Sequence, residues 1–191
     1  MIGEIGNFKM KKLLLILLCL PMIGFGQNKN EENKQLSKMD LFTSKTGSII
    51  KYIDYSVTDI KGSYSTGEAK VRQIIVGESI GYFFQISKTG KYSTKTASIE
   101  YSDLLEVIRA INTLKEDSSS DIISVGDYLE NKFVTDDGFQ IGYYISNQKA
   151  VWYITLEKYG SDNNIFIKEI KDVEISLIEA KNKIDSLKTI D

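Results

Sequence analysis

Hydrophobic and polar residues alternate with a period of two through most of the chain after residue 47. This period is typical of strands that bury one face of a sheet, because successive side chains point to opposite faces. Tyr82, Phe84 and Ile86, for example, share one face of the same run. The pattern predicts seven strands, over Ser48–Val57, Ala69–Val76, Ser79–Ser87, Tyr92–Tyr101, Glu130–Thr135, Phe139–Ser146 and Ala150–Tyr159.

A helical period replaces the alternation in two segments. Apolar residues recur there every three or four positions, so that each segment presents one apolar stripe. The first segment is Asp103–Glu116, and the polar run Asp117–Asp121 after it is predicted to be a loop. Asp103 with Glu106 three residues later predicts a capping box at its start. The second segment is Ile167–Leu187.

The two apolar stripes must be buried, and one side of an antiparallel sheet offers the surface for it. We therefore predict an α+β fold, with an antiparallel sheet of about seven strands and two amphipathic helices. The echo between Gly81-Tyr82-Phe83 and Gly142-Tyr143-Tyr144 raises the hypothesis of a duplicated strand-strand-strand-helix unit. The alternative is a bent sheet or small barrel closed by a C-terminal helix, as in pleckstrin-homology-like domains.

The first 26 residues contain the three parts of a secretory signal peptide in order. Lys11 and Lys12 precede the apolar run Leu13–Leu20, and the small residues Gly24 and Gly26 follow two positions apart. Cleavage after Gly26 would leave a periplasmic or secreted protein. The apolar run is shorter than the roughly 20 residues of a spanning helix, so a retained anchor is the weaker alternative.

The predicted organisation has three parts. Residues 1–26 are the signal peptide, and residues 1–9 are not translated if Met10 is the true start. Residues 27–38 are polar and rich in Asn, Lys and Glu, which predicts a disordered lead-in. Residues 39–191 are then a single globular domain, and after cleavage we expect no stable membrane span.

The composition excludes several common chemistries. The chain has no histidine, and its one cysteine and one proline are Cys19 and Pro21, inside the signal peptide. A domain without Cys and His has no disulfide, no thiol nucleophile, no Ser-His-Asp triad and no Cys/His zinc site. A formal net charge of −2 argues against nucleic acid, whose partners are usually basic. Leu18 stands where a lipobox needs a small residue, so we do not expect lipidation of Cys19.

Two groups of side chains are candidates for binding a ligand or partner. Tyr144, Tyr153 and Tyr159 lie off the predicted core faces and could form an exposed aromatic patch, which suits partner binding or stacking on sugar rings. The alternative is ordinary tyrosine pairing across strands. The second group surrounds one hairpin and could meet an anionic partner; its members are Lys88, Lys91 and Lys95. Its alternative is a solvated edge that blocks aggregation.

Carboxylates keep a catalytic alternative open. A glycan hydrolase needs two carboxyl groups about 5 to 10 Å apart across a cleft. The candidates for such a pair are Glu100, Asp103, Glu130, Asp136, Glu157 and Asp162.

Cation sites are the less favoured interpretation of the acidic loops. Asp136-Asp137-Gly138, with Glu130 nearby, is better explained as a hairpin turn than as a divalent-cation site. The run from Asp162 to Asn164 is better explained as a turn and a helix N-terminus than as a binding site for calcium or a sugar hydroxyl. We predict no metal and no cofactor.

Three segments carry a resemblance to a known group of proteins: Lys91–Leu105, Tyr128–Gln140 and Leu156–Asn163. With them, the stretch from Lys38 to Leu187 is similar to small uncharacterised exported proteins of low-GC Gram-negative bacteria. The resemblance implies a compartment and a domain extent. It implies no chemistry and no functional residues.

These observations predict an exported, non-catalytic binding or interaction module with a protein or glycan partner. One alternative is a carboxylate-based glycan hydrolase. Another is an inhibitor or immunity-type partner of a second exported protein. The missing His and Cys favour a non-enzyme without deciding the question.

Overall fold

The computed structural model describes residues 36–91 and 93–189, which belong to one compact unit. The predicted signal peptide and residues 27–35 of the predicted lead-in lie outside the described residues. Nine strands and three helices make up the described part of the chain. In order they are α1 (Lys38–Thr43), β1 (Ile50–Ser56), β2 (Ile60–Lys61), β3 (Thr66–Val76), β4 (Ser79–Thr89), β5 (Thr94–Glu100), α2 (Tyr101–Asp121), β6 (Glu130–Val134), β7 (Gln140–Ser146), β8 (Lys149–Thr155), β9 (Asn164–Phe166) and α3 (Ile170–Lys188).

The strands form two antiparallel sheets. The first has the order β1-β3-β4-β5, with β2 paired to the start of β3, and the second has the order β6-β7-β8-β9. Tight turns set the register of the hairpins. Asn147 and Gln148 both have positive φ between β7 and β8, which is the turn geometry that matches strand twist.

A glycine corner connects the two sheets. Gly62, just after β2, forms an isolated bridge with Ile167, and the Ser63 N–H donates to the Phe166 carbonyl at 2.8 Å. A Cβ on Gly62 would lie 2.5 Å from the Ser65 carbonyl oxygen and 2.9 Å from that of Phe166. Only glycine allows the two backbones to approach this closely.

The main core lies between the sheets and the two long helices. Helix α2 follows the first sheet yet also contacts β6 and β7 of the second, and α3 follows the second sheet yet contacts β2, β3 and β4 of the first. Each side chain fully buried in this core contributes about 1.5–3 kcal/mol. Members from each layer include Val71, Phe84, Ile99, Leu104, Val107, Ile141, Ile154, Ile165, Leu177 and Ile184.

Helix α1 covers the opposite face of the first sheet. Its Met39 and Phe42 pack against a second, smaller cluster of Ile74, Val76 and Phe83. The rings of Phe42 and Phe83 meet edge to face, with centroids 6.1 Å apart. Strand β4 is therefore buried on both faces at its centre.

The α+β prediction is confirmed, and its detail is corrected. Nine strands in two sheets replace about seven strands in one sheet, and the described strands do not close into a barrel. The short elements α1, β2 and β9 were not predicted. Strand β9 falls where the alternating pattern is too short, at three residues, to predict a strand.

Helix α2 runs beyond its predicted end and includes Asp117–Asp121, which were predicted to be a loop. The second sheet holds this last segment by two hydrogen bonds. The Tyr143 hydroxyl donates to Asp121 at 2.5 Å, and the Asn131 amide donates to Asp117 at 3.2 Å. Tertiary contacts thus decide the conformation of a polar run that has no helical stripe of its own.

The predicted capping box at the start of this helix is wrong. Glu100 is the N-cap residue, and its carboxylate accepts the N–H of Ser102. Asp103 instead accepts a hydrogen bond from the ammonium group of Lys38, at 2.5 Å. Lys38 opens α1, so this bond fastens the first helix to the second.

The hypothesis of a duplicated unit stays a prediction. In both halves an antiparallel series of strands leads into a long helix. However, Gly81 lies in β4, two strands before α2, whereas Gly142 lies in β7, three strands before α3. The two echoed segments therefore do not occupy equivalent positions.

Candidate functional site

A cleft of about 520 Å³ opens where the two sheets meet, and we call it the junction cleft. Three elements form its walls: the turn between β2 and β3, the tip of the β4–β5 hairpin, and β9 with the residues before it. Its volume is within the range of about 300–1,000 Å³ typical of small-ligand sites. The position follows from the glycine corner, which brings the first sheet against the edge of the second.

One lysine fixes the base of the junction cleft. The Lys88 ammonium group donates to Asp162 Oδ1 at 2.6 Å, to the Asp162 carbonyl at 3.2 Å and to the Asn164 carbonyl at 3.0 Å. An ammonium group has three protons, so all three are engaged. The Lys88 side chain is only 12% exposed, whereas that of Asp162 is 59% exposed. The cleft is thus held in shape before any ligand arrives.

Two aromatic rings face the solvent at the cleft. Tyr64 lies at the turn between β2 and β3 and is 92% exposed, and Phe166 at the end of β9 is 38% exposed. The turn is closed by the Gly62 N–H, which donates to the Ser65 carbonyl at 2.9 Å. In β9 only Ile165 points into the core, so its neighbours face outward. Two exposed rings at one concave surface offer apolar area of the kind that marks interaction sites.

Short polar side chains complete the lining. Ser65 and Thr89 supply hydroxyl groups, and Asn164 supplies an amide whose oxygen accepts the Thr155 hydroxyl at 2.8 Å. The carboxylate of Asp162 is presented by a backbone with φ of 61°, a left-handed conformation that Asp tolerates better than most residues. These groups can donate and accept hydrogen bonds from one side of a bound molecule.

The three predicted lysines separate in the structure. Lys88 and Lys91 line the junction cleft, whereas Lys95 donates to Glu157 at 3.0 Å outside that lining. Lys88, through Asp162, and Lys95, through Glu157, therefore join the β4–β5 hairpin to the segment between β8 and β9. For Lys88 this internal role leaves no proton for an anionic partner unless an existing bond breaks.

The three predicted tyrosines do not line the junction cleft. Tyr144 and Tyr153 are neighbours, with ring centroids 6.4 Å apart. Tyr153 is only 5% exposed, and its hydroxyl donates to Glu130 at 2.5 Å. Burial, with this hydrogen bond, raises the pKa of Tyr153. Tyr159 is exposed, with the Lys158 ammonium 5.4 Å from its ring centroid. Because Tyr153 is buried, the three tyrosines do not form the expected exposed patch.

The carboxylates proposed for hydrolysis have separate partners. Glu130 accepts from Tyr153 and pairs with Lys132 at 3.2 Å, and these bonds lower the pKa of Glu130. Glu157 pairs with Lys95, and Glu100 caps α2.

The other three carboxylates proposed for hydrolysis are Asp103, Asp136 and Asp162, and Asp162 alone of the six lines the junction cleft. Asp103 and Asp136 both lie near the ammonium group of Lys38, at 2.5 Å and 3.9 Å. The described residues thus place one carboxylate, not two, at the concave site.

The acidic turn between β6 and β7 anchors the first helix. Asp137 accepts the main-chain N–H of Lys38 at 2.9 Å and 3.2 Å through its two carboxylate oxygens. Burial is the largest cause that raises the pKa of Asp137. The turn itself is confirmed, since the Gly138 N–H donates to the Thr135 carbonyl at 2.9 Å. Among the described residues, no three Cys, Asp or Glu side chains are grouped so that they could hold a metal ion.

Sequence reasoning missed the two exposed rings of the junction cleft. A usable signal was present in Gly62-Ser63-Tyr64-Ser65-Thr66-Gly67, where a tyrosine stands between small turn residues at which a core ring has no place. Phe166 carried no such signal, because an apolar residue near the start of a helix is expected to be core.

Within residues 36–91 and 93–189, no helix is long and apolar enough to span a membrane. Comparisons with protein-family models, with curated proteins and with solved structures found no match to this chain.

Proposed function

We propose that this chain is an exported, non-catalytic binding module whose ligand occupies the junction cleft. The single observation that carries the proposal is the pair of exposed rings, Tyr64 and Phe166, at a concave site already held in shape by Lys88. A preformed site loses little conformational freedom on binding, which favours affinity. Export to the periplasm or the cell exterior is proposed from the pattern of residues 9–26 alone.

The arrangement of carboxylates favours binding over glycan hydrolysis. A hydrolase of either stereochemical class requires a second carboxyl group opposite the first. Asp162 has no such counterpart among the residues that line the junction cleft, because none of the other five candidates lines it. The cleft therefore offers recognition groups without an acid–base pair.

The proposal is tested by binding to the cell envelope. The full chain, produced with its own N-terminal segment and a C-terminal tag, is sedimented with the envelope fraction of the cells that encode it. We expect wild type to bind, and Tyr64→Ala and Phe166→Ala each to bind about tenfold more weakly, because each loses one ring contact. N-terminal sequencing of the exported chain checks cleavage after Gly26.

Tyr128→Ala is the matched control. Tyr128 is also an exposed tyrosine on a loop, and it does not line the junction cleft. We expect this variant to bind as wild type does. Binding that is unchanged in both Tyr64→Ala and Phe166→Ala would overturn the proposal.

A second candidate function, the inhibitor or immunity-type partner, is supported by a different surface. The loop between α2 and β6 exposes Ile123, Val125 and Tyr128, an apolar group typical of protein contacts. If envelope binding falls in Tyr128→Ala and not in Tyr64→Ala, this loop is the binding surface and the second candidate replaces the first.

A further inference from the structure

We infer that the ligand of the junction cleft is a neutral saccharide. This inference rests on the proposed function, because it names the class of molecule that the same site takes. Three properties of the cleft lead to it: backbone carbonyls that already accept hydrogen bonds, a Lys88 ammonium group that already contacts three oxygen atoms, and aromatic rings flanked by short polar side chains.

The Asn164 and Phe166 carbonyls at the junction cleft already accept hydrogen bonds, which disfavours a peptide bound as an added strand. Strand addition needs a row of unpaired N–H and C=O groups at a sheet edge. Here the Phe166 carbonyl accepts the Ser63 N–H at 2.8 Å, and the Asn164 carbonyl accepts the Lys88 ammonium at 3.0 Å. At the hairpin tip, the Gly90 N–H donates to the Ser93 carbonyl at 3.0 Å. We therefore expect side chains to make most of the contacts with a ligand.

The ion pair between Lys88 and Asp162 disfavours an anionic ligand at the base of the cleft, where Lys91 is a second cation of the lining. Lys88 already contacts three oxygen atoms, one of them the carboxylate of Asp162. A phosphate or carboxylate would have to displace one of these oxygens, and it would meet the half-exposed carboxylate of Asp162 as well. A neutral ligand requires neither change.

The remaining groups match the two kinds of surface on a sugar ring. One face of a pyranose is a patch of C–H groups that packs on an aromatic face, which Tyr64 and Phe166 offer. The hydroxyl groups at its rim need donors and acceptors together, and Ser65, Thr89 and Asn164 supply them. A purely apolar ligand would offer no partner to the hydroxyl groups of Ser65 and Thr89.

The test divides the envelope fraction before the binding measurement. One half is oxidised with periodate, which cleaves the vicinal diols of saccharides, and the other is digested with proteinase K. We expect binding of the full chain to fall about tenfold after periodate and to persist after proteinase. Loss after proteinase with persistence after periodate overturns the saccharide and leaves the proposed function standing, provided that Tyr64→Ala still weakens binding. If wild type does not bind even the untreated envelope fraction, both the inference and the proposed function are overturned.

Two further measurements sharpen the assignment. Tyr64→Phe keeps the ring face and is expected to retain at least half of wild-type binding, whereas Tyr64→Ala loses about tenfold. Raising the salt concentration from about 0.05 M to about 0.5 M is expected to change binding less than twofold, because screening acts on charge pairs. A much larger loss with salt would show a charged ligand and overturn the neutral saccharide.

Discussion

The ammonium nitrogen of Lys88 lies 2.6 Å from Oδ1 of Asp162, and this contact joins the first sheet to the segment that leads into β9. Lys88 belongs to β4, and 74 residues separate the two partners along the chain. The same ammonium also holds two main-chain carbonyls, so the pair is a structural anchor as well as the base of the junction cleft.

Replacing this lysine is expected to destabilise the fold. Lys88→Met keeps the apolar stem but leaves three oxygen atoms without their donor, which should lower the free energy of unfolding by about 1–3 kcal/mol. Urea unfolding of the full chain measures the change. The matched control is Lys149→Met, because Lys149 is an exposed lysine in β8. Equal stability of the two variants would contradict the anchor role.

The glycine corner provides a second stability prediction. In Gly62→Ala the new Cβ would lie 2.5 Å from the Ser65 carbonyl oxygen and 2.9 Å from that of Phe166, and backbone atoms cannot move aside easily. We expect a loss of about 1–3 kcal/mol, which corresponds to a fall in melting temperature of roughly 2–4 °C per kcal/mol. In the control Gly126→Ala, the nearest atom is 3.5 Å away, so its melting temperature should stay close to wild type.

Tyr143 should make the fold sensitive to alkaline pH. Burial, helped by the hydrogen bond to Asp121, raises the pKa of Tyr143 to about 12 from its ordinary value of 10.0. The unfolded chain therefore releases this proton first, so the contribution of Tyr143 is complete below pH 10 and is lost as the pH rises towards 12. Between pH 9 and pH 11, the free energy of unfolding measured with urea should fall less for Tyr143→Phe than for wild type. Equal losses would show that Tyr143 is not the source.

Asp54 should behave in the opposite way, at acidic pH. The hydrogen bond from Arg72, assisted by Lys70, lowers the pKa of Asp54 to about 2 from 3.8. Its contribution to stability is therefore present above pH 4 and lost as the pH falls towards 2, although the side chain is 37% exposed and its effect on stability is modest.

The measurement for Asp54 is its carboxyl ¹³C shift during an NMR titration. We expect a midpoint near 2 in wild type. Arg72→Met should move the midpoint up towards the ordinary value, and Lys70→Met should move it less, because the bond from Arg72 is the largest cause. A midpoint that does not change in Arg72→Met would show that another group lowers the pKa of Asp54.

The strand pattern was predictable because the main core buries alternate residues of the longer strands. The pairs Tyr82 and Phe84 in β4, and Ile141 and Tyr143 in β7, are buried two positions apart. The turn at Gly138 was predictable for a similar local reason, since its φ of 89° suits glycine.

The elements that sequence reasoning missed depend on contacts between distant residues. Strand β2 has two residues and is defined only by its pairing to β3. The last turns of α2 depend on Tyr143 and Asn131, which come after them in the chain. Helix α1 has six residues, too few for a helical stripe, and it rests on Phe83 from β4.

The candidate site was predictable only in part. Lys88 and Lys91 were selected from the sequence, and both line the junction cleft. Tyr153 was selected as an exposed ring because alternation assigned it to the outer face of β8. It is buried instead, against Tyr144 and Glu130, since the second sheet carries packing on that face as well. A period of two identifies which side chains share a face, and it does not say whether that face is covered.

Each of the two long helices packs against strands of the sheet other than the one it directly follows, and this arrangement has a consequence for unfolding. Helix α3 supplies Val173, Leu177 and Ile184 to a core that the first sheet cannot complete by itself, and it is the last of the described elements. A fragment that stops after α2 would leave a wide apolar surface bare, so neither half should survive alone as a folded remnant. We expect the described part of the chain to unfold in one cooperative step, without an intermediate in which only one half is folded.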